Sequence, residues 1–351
     1  MKHRFRLIPA AAFASTLILG LAACGSSTTT DPAASGDASG EVAGEITVYN
    51  AQHETMTQAW VDEFTAETGV KVTVRQGSDT EMSNQIVQEG EKSPADVFIT
   101  ENSPAMTQVE NAGLFADIPA EVAANVPEQY RPSTGKWVGV AARSTMLVYN
   151  PEKISDSELP TSIMDLADPE WEGRWGGAFA GADFQAIISA MVELEGEDAT
   201  ASWLEAAKNG AKIFPKNGAA MKAVNSGEVD AAVIYHYYYT ADQAETGENS
   251  NNLEPYYFKN SDAGAFVSVS GAGVLKSSDN QAAANAFLEF ITSKKGQETL
   301  GAGSDYEYPI SADVTPREGL VPLEELQAPE VDPATLNSEK VVELMTTAGL
   351  L

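Results

Sequence analysis

Apolar and polar residues alternate in short blocks from about residue 45 onward. Three short apolar runs predict strands, at residues 46–49, 70–74 and 95–99. Between the first two runs, Met56, Trp60 and Phe64 recur at four-residue spacing and predict a helix, with Gly69 at the expected C-cap position. A second helix is predicted after Asp79, which we expect to act as its cap. Strands and helices that alternate in this way predict a parallel-rich α/β sheet.

Two later segments read as long extended chain, and both are suited to cross between two lobes. These crossings are predicted near residues 140–150 and 264–275. Further helices are predicted at 184–195, 199–209, 219–227 and, as one long helix, 279–300, with a strand at 230–234. We therefore expect two α/β lobes with a ligand cleft between them. Lobe 1 is predicted to contain residues 45–143 and about 269–310, and lobe 2 residues 144–268 and about 311–351.

The N-terminus has the pattern of a secretory signal. Lys2, Arg4 and Arg6 precede an apolar stretch without acidic residues, which ends in Leu-Ala-Ala before Cys24. A small-residue cleavage site followed directly by cysteine resembles a bacterial lipobox, in which the thiol is acylated. We expect residues 1–23 to be a signal peptide, Cys24 to be lipidated, and residues 24–44, rich in Ser, Thr, Gly and Ala, to form a flexible tether.

The chain is strongly acidic and contains a single cysteine. It has 21 Lys and Arg against 51 Asp and Glu, a formal net charge of −30. A nucleic-acid partner is excluded by this charge, because phosphate neutralisation needs basic patches. A cationic ligand is compatible with it. Since Cys24 is the only cysteine, the fold rests on its core and not on internal disulfides.

No sequence motif of a known catalyst is present. The chain lacks the zinc-protease, P-loop and nucleophile-elbow patterns. Paired carboxylates of a glycosidase have no strong sequence signature, so a secreted hydrolase stays an alternative of another class. We expect a binding protein and not an enzyme.

Polar residues follow the carboxyl ends of three predicted strands, where open α/β sheets bind ligands. His53 follows the first strand, Glu101 the third, and the second lobe contributes a tyrosine cluster at 235 and 237–239. Imidazole, carboxylate and phenolate together suit a hard trivalent cation, and two phenolates with one carboxylate balance the charge of Fe(III). The tyrosines are equally compatible with an aromatic patch or a stacking surface for an organic ligand.

The chain resembles, from about residue 45 to its end, the ferric-iron-binding proteins of bacterial ABC importers. The motifs that carry this resemblance are Val48–His53, Ser93–Phe98 with Glu101, Ala141–Ser144, Lys216-Asn217, Asp230–Tyr239 and Ser270–Ser278. The resemblance implies a two-lobed type II periplasmic-binding-protein fold. It also implies that His53, Glu101, Tyr237 and Tyr238 bind iron. A monomer outside the cell membrane, which delivers iron to an importer permease, is expected.

The anion half of such a site differs from the pattern of phosphate-binding relatives. Gly181-Ala182-Asp183 stands where those relatives have a Ser-Gly-Ala turn, and Tyr235 replaces an Asn. We expect phosphate to bind poorly, and carbonate, water, Tyr235 or Asp183 itself to complete the sphere. The remaining secondary candidates are Asn102, Asn217 and Arg143, the last of which also fits a hinge salt bridge. The alternative within the same fold is a binding protein for a polyamine, thiamine or a phosphonate.

Overall fold

The computed structural model describes residues 42–351. The predicted signal peptide, Cys24 and all but the last three residues of the predicted tether lie outside this range. The strands are β1 (Glu45–Asn50), β2 (Lys71–Gln76), β3 (Val97–Ile99), β4 (Val138–Tyr149), β5 (Trp175–Gly177), β6 (Lys212–Ile213), β7 (Ala231–Tyr235), β8 (Glu254–Tyr256) and β9 (Val267–Val274). The helices are α1 (Glu54–Thr68), α2 (Asp79–Glu89), α3 (Ser103–Asn111), α4 (Ala120–Ala124), α5 (Ala182–Glu195), α6 (Glu197–Gly210), α7 (Asn217–Asn225), α8 (His236–Glu245), α9 (Gln281–Thr292), α10 (Lys294–Ala302) and α11 (Ser338–Thr347).

The strands pair in the order β2-β1-β3-β9-β4-β7-β5-β6, and β8 also pairs with β4. Parallel pairs lie at both ends of this order, where β1 pairs with β2 and β3, and β5 pairs with β6 and β7. Antiparallel pairs join them in the middle through β9 and β4. The parallel pairs place their carboxyl ends at common edges, which is where α/β sheets present ligand-binding loops.

The long strand β4 belongs to both halves of the molecule. Its first part, Val138–Ser144, pairs with β9, and its second part, Thr145–Tyr149, pairs with β7. All twelve residues of β4 are buried, as expected for a strand that runs between two packed lobes. The strands β4 and β9 coincide with the two extended crossings predicted from the sequence.

Each lobe has a hydrophobic core on both faces of its sheet. In the first lobe, Val48 packs with Trp60 and Phe64 on one face, while its neighbour Tyr49 packs with Phe98 on the other. In the second lobe, Leu147 and Met146 likewise point to opposite clusters. Side chains of successive strand residues alternate between faces, so helices cover both sides, as in other sheets with parallel strands.

The C-terminal third differs from the sequence expectation at two points. The helix predicted at 279–300 is two helices, because Ser293 ends α9 and its side chain caps α10 by accepting a hydrogen bond from the Gly296 N–H. Residues from about 311 onward are predicted to lie in the second lobe, but Leu326 still packs into the first lobe's core. The next buried residue of either core is Leu336, which packs into the second lobe's core. The predicted lobe boundaries otherwise stay a prediction. Within residues 42–351, no helix is long and apolar enough to cross a membrane.

Candidate metal centre

His53 and Glu101 lie together at the edge of the first lobe. His53 is the N-cap residue of α1, directly after the turn that follows β1. Glu101 follows β3, the parallel neighbour of β1. His53 Nδ1 is 3.8 Å from Glu101 Oε1, and both side chains keep about a quarter of their surface exposed. The two strand ends predicted to deliver these side chains therefore bring them to one place.

Tyr237 and Tyr238 lie in the first turn of α8, which begins as soon as β7 ends. Both hydroxyl groups donate to the same oxygen, Asp183 Oδ2, at 3.2 and 3.3 Å. The two rings are 4.3 Å apart between centroids, and the Tyr237 ring meets the His53 ring edge-on at 5.1 Å. The candidate ligands of the second lobe thus face those of the first. Tyr239 packs instead beside the apolar cluster of the second lobe.

Asp183 is the buried centre of this arrangement. It lies in the first turn of α5, which starts after Gly181. Besides the two phenols, its carboxylate accepts hydrogen bonds from Asn217 Nδ2 at 2.8 Å and Asn102 Nδ2 at 3.1 Å. The carboxylate therefore accepts hydrogen bonds from four side chains at the Gly181-Ala182-Asp183 turn that opens α5.

Tyr235 is fully buried at the end of β7. Its hydroxyl group lies 3.5 Å from Asn102 Oδ1, at the limit of a hydrogen bond. Its ring also packs against the ring of Tyr237, with 6.4 Å between the centroids, so Tyr235 borders one candidate phenolate without a hydrogen bond to Asp183.

Arg143 on β4 is a fully buried cation beside both carboxylates. Its Nη1 lies 3.8 Å from Glu101 and 3.9 Å from Asp183, without a hydrogen bond to either. Its Nη2 donates to Glu307 Oε1 at 2.6 Å, and to Gln52 and Ser270. The structure thus places Arg143 in a salt bridge on a crossing strand, next to the centre.

Two buried carboxylates near the centre were not among the sequence candidates. Glu307 Oε1 also lies 3.2 Å from His53 Nε2. Asp79 accepts the backbone N–H groups of Glu101 and Asn102. The predicted capping role of Asp79 is wrong, because Ser78 is the N-cap of α2 and Asp79 turns inward to hold the loop after β3. No sequence motif marks Glu307. Asp79 precedes a predicted helix, a position that indicates a cap, so its place near the centre was not predicted.

The chain matches the family model "Bacterial extracellular solute-binding protein" over residues 92–333. It belongs to this family. It is 58% identical to the Fe(3+)-binding periplasmic protein of Serratia marcescens over 306 residues, which cover 87% of this chain and 90% of the relative. It is 37% identical to the major ferric iron-binding protein of Neisseria meningitidis serogroup B, covering 87% and 93% of the two chains.

Solved structures agree with this family assignment. Iron-bound HitA from Pseudomonas aeruginosa is 39% identical and superimposes with a TM-score of 0.82, over 87% of this chain and 99% of HitA. The resemblance predicted from the sequence motifs and the two-lobed type II fold are thereby confirmed.

Burial shapes the acid–base properties of the centre in this solute-binding protein. Burial raises the pKa of Tyr237, and it raises the pKa of Tyr238 to about 12. Burial also raises the pKa of Glu101, against the opposing effect of Arg143. Burial alone would lower the pKa of His53, but its hydrogen bond to Glu307 raises it above the ordinary value. Both phenols are therefore protonated near neutral pH.

Among residues 42–351, no group of three or more His, Cys, Asp or Glu side chains is arranged so that it could hold a metal ion by itself. The phenols of Tyr237 and Tyr238 are the additional oxygen donors at this place. Oxygen donors of this kind, with one imidazole, match the preference of hard, highly charged metal ions.

Proposed function

We propose that this protein captures ferric iron outside the cell membrane and delivers it to an ABC importer. The observation that carries the proposal is the convergence of two phenol groups, Tyr237 and Tyr238, on one buried carboxylate opposite His53 and Glu101. The ferric-binding relatives from Serratia and Neisseria, named for this ion, support it. They give no support to a polyamine, thiamine or phosphonate ligand, or to a hydrolase.

We assign His53, Glu101, Tyr237 and Tyr238 as iron ligands. Two phenolates and the Glu101 carboxylate supply three negative charges, which balance Fe(III) while His53 remains neutral. A phenol with a pKa of about 12 loses its proton only to a cation of high charge density. Divalent calcium is bound mainly by carboxylates and carbonyls, and zinc by more His or Cys. The donor set therefore favours ferric iron over both.

We further propose that the Asp183 carboxylate takes the place of a synergistic anion, the small anion that would otherwise bind together with the iron. Its carboxylate already accepts hydrogen bonds from both phenols and from Asn102 and Asn217. A second anion at this position would meet a buried negative charge. Arg143, the residue that would attract carbonate, already lies within 4 Å of the carboxylates of Glu101, Asp183 and Glu307, which offset its positive charge. In this proposal the protein binds iron without phosphate or carbonate. Asp183 adds a fourth negative charge to the three of the phenolates and Glu101, and the buried guanidinium of Arg143, 3.9 Å from Asp183, offsets it.

Capture follows from the position of these ligands in two lobes. His53 and Glu101 belong to the first lobe, and Tyr237, Tyr238 and Asp183 to the second. Only the closed form brings both sets together, so iron stabilises that form by its higher affinity for it. Opening at the permease would separate the ligands and release the ion.

The sequence supports a lipid anchor for the mature protein. In this proposal Cys24 is acylated and the following tether holds a monomeric binding domain at the outer face of the membrane. One acyl chain binds a membrane only marginally, so stable anchoring requires more than one. We infer a role in binding and transport, without catalysis, from the same family relationships.

A ligand-retention assay tests the function. Purified protein would be mixed with ferric citrate, spermidine, thiamine or a phosphonate and passed through a desalting column. We expect the protein to retain one iron ion per chain, measured by elemental analysis, and none of the organic ligands. Retention of an organic ligand in preference to iron would contradict the proposal.

A further inference from the structure

Asn102 has a buried side chain that uses its entire hydrogen-bonding capacity. Its Nδ2 donates to Asp79 Oδ2 at 3.3 Å and to Asp183 Oδ1 at 3.1 Å. Its Oδ1 accepts from Ser268 Oγ at 2.9 Å and from the Tyr235 hydroxyl at 3.5 Å. An Asn amide has two N–H donors and two acceptor lone pairs. Carboxylates on one side and hydroxyls on the other fix its orientation.

The four partners come from different parts of the molecule. Asp79 belongs to the first lobe, like Asn102 itself, while Asp183 and Tyr235 belong to the second. Ser268 lies on β9, one of the two strands between the lobes. Asn102 is the N-cap residue of α3, yet its side chain makes no capping bond. The side chain thus bonds across the cleft to Asp183 and does not cap its own helix.

We propose that Asn102 is a latch that closes the cleft by a direct bond to Asp183. The bond involves only protein atoms, so it favours the closed form independently of iron. It also orients the Asp183 carboxylate, because Oδ1 is held by Asn102 while Oδ2 faces the two phenols. The orientation of Asp183 matters only if the proposed iron site is correct, whereas closure of the cleft by Asn102 does not depend on that site. Opening at the permease then requires the latch to break.

The chemistry of the position explains why an amide is needed there. An aspartate of the same shape would place acceptor-only oxygens against the carboxylates of Asp79 and Asp183. Unpaired carboxylates facing each other in a buried site repel strongly. The change Asn102→Asp therefore replaces the latch by a group of the same size that either repels both carboxylates or must take up a proton to remain between them.

Asn217 offers a matched control. Its Nδ2 donates to Asp183 Oδ2 at 2.8 Å, but it lies on α7, in the same lobe as Asp183. The change Asn217→Asp introduces the same charge beside the same carboxylate and leaves the cross-cleft bond in place. Asn102→Ala serves as a second latch variant, which removes the bond without adding charge.

The test measures closure and iron release separately. Small-angle X-ray scattering of metal-free protein would report the radius of gyration, and thermal melts would show that each variant is folded. Transfer of iron to excess chelator would report the release rate. We expect Asn102→Asp and Asn102→Ala to enlarge the metal-free protein and to release iron about 10- to 100-fold faster, the effect of losing one charge-assisted hydrogen bond. Asn217→Asp should keep the wild-type radius.

The outcomes separate the latch from the iron site. A wild-type radius in both folded Asn102 variants would overturn the latch. An equal expansion in Asn217→Asp would also overturn it, because added charge alone would then open the cleft. If the Asn102 variants expand and no protein retains iron, the latch stands and the proposed function falls.

Discussion

Replacement of Asp183 tests whether the protein carries its own anion. The change Asp183→Asn keeps the shape of the side chain but removes a negative charge from the point where two phenols and two amides converge. We expect weak iron binding in a buffer free of phosphate and carbonate. The fold should persist, since an uncharged side chain is less costly to bury.

The size of the loss can be worked from electrostatics. One unit charge 4 Å from another contributes about 4 kcal/mol at an effective dielectric constant of about 20. That free energy corresponds to a factor of about 1,000 in affinity. Since the iron ion carries three charges, we take about 1,000-fold as the smallest loss expected for Asp183→Asn.

Iron affinity would be measured by competition with citrate in anion-free buffer, with phosphate and carbonate restored singly. Asp183→Ala, which leaves space at the site, should regain part of the lost affinity with either anion, while the wild type gains nothing. Asp242→Asn is the matched control, because Asp242 accepts bonds from Asn249 and Ser250 outside the cleft. Wild-type affinity in Asp183→Asn, or a large gain of the wild-type protein with phosphate, would refute the role of Asp183.

Three further predictions concern the ligands and the anchor. Glu101→Gln should weaken iron binding but keep the tyrosinate-to-iron charge-transfer band in the visible spectrum, because the band comes from the phenolates. His53→Ala should have the mildest effect, because water can replace a neutral ligand. Competition titrations with visible spectra would check both, and loss of the band in Glu101→Gln would contradict the assignment. Burial raises the pKa of Tyr237, that of Tyr238 to about 12 and that of Glu101 to about 8, so iron should displace two to three protons. Affinity should therefore fall about 100- to 1,000-fold from pH 7 to pH 6. A pH-stat titration that finds no proton release would exclude phenolate ligands. Cys24→Ser should move the mature protein from the membrane to the soluble fraction, and continued membrane association after signal removal, seen by fractionation, would exclude lipidation.

The elements of the fold were predictable where a local pattern determines them. The four-residue spacing of Met56, Trp60 and Phe64 gives α1 its buried face, and Gly69 ends it with a positive φ of 74°. The prediction of one helix at 279–300 was wrong, because the apolar pattern continues across Ser293 and hides the break there. The Ser293 side chain caps a new helix, α10. Composition alone does not distinguish a serine inside a helix from one that starts the next.

The site was predictable to the extent that strand ends deliver its residues. His53 and Glu101 follow parallel neighbours, so their proximity follows from the sheet order. The roles of Asp79 and Glu307 depend on contacts over 22 and 164 residues of sequence. Such contacts leave no periodic pattern, and an isolated Asp or Glu in so acidic a chain gives no signal of burial.

The visible spectrum of the iron-loaded protein, compared across three tyrosine variants, tests the ferric site most directly. Tyr237→Phe and Tyr238→Phe each remove one phenolate and preserve the ring, and Tyr239→Phe is the control from the same helix. With one equivalent of ferric citrate, we expect a tyrosinate-to-iron charge-transfer band in the wild type and in Tyr239→Phe, and a much weaker band with weaker binding in each of the other two. Unchanged colour and affinity in both Tyr237→Phe and Tyr238→Phe would contradict the ferric site.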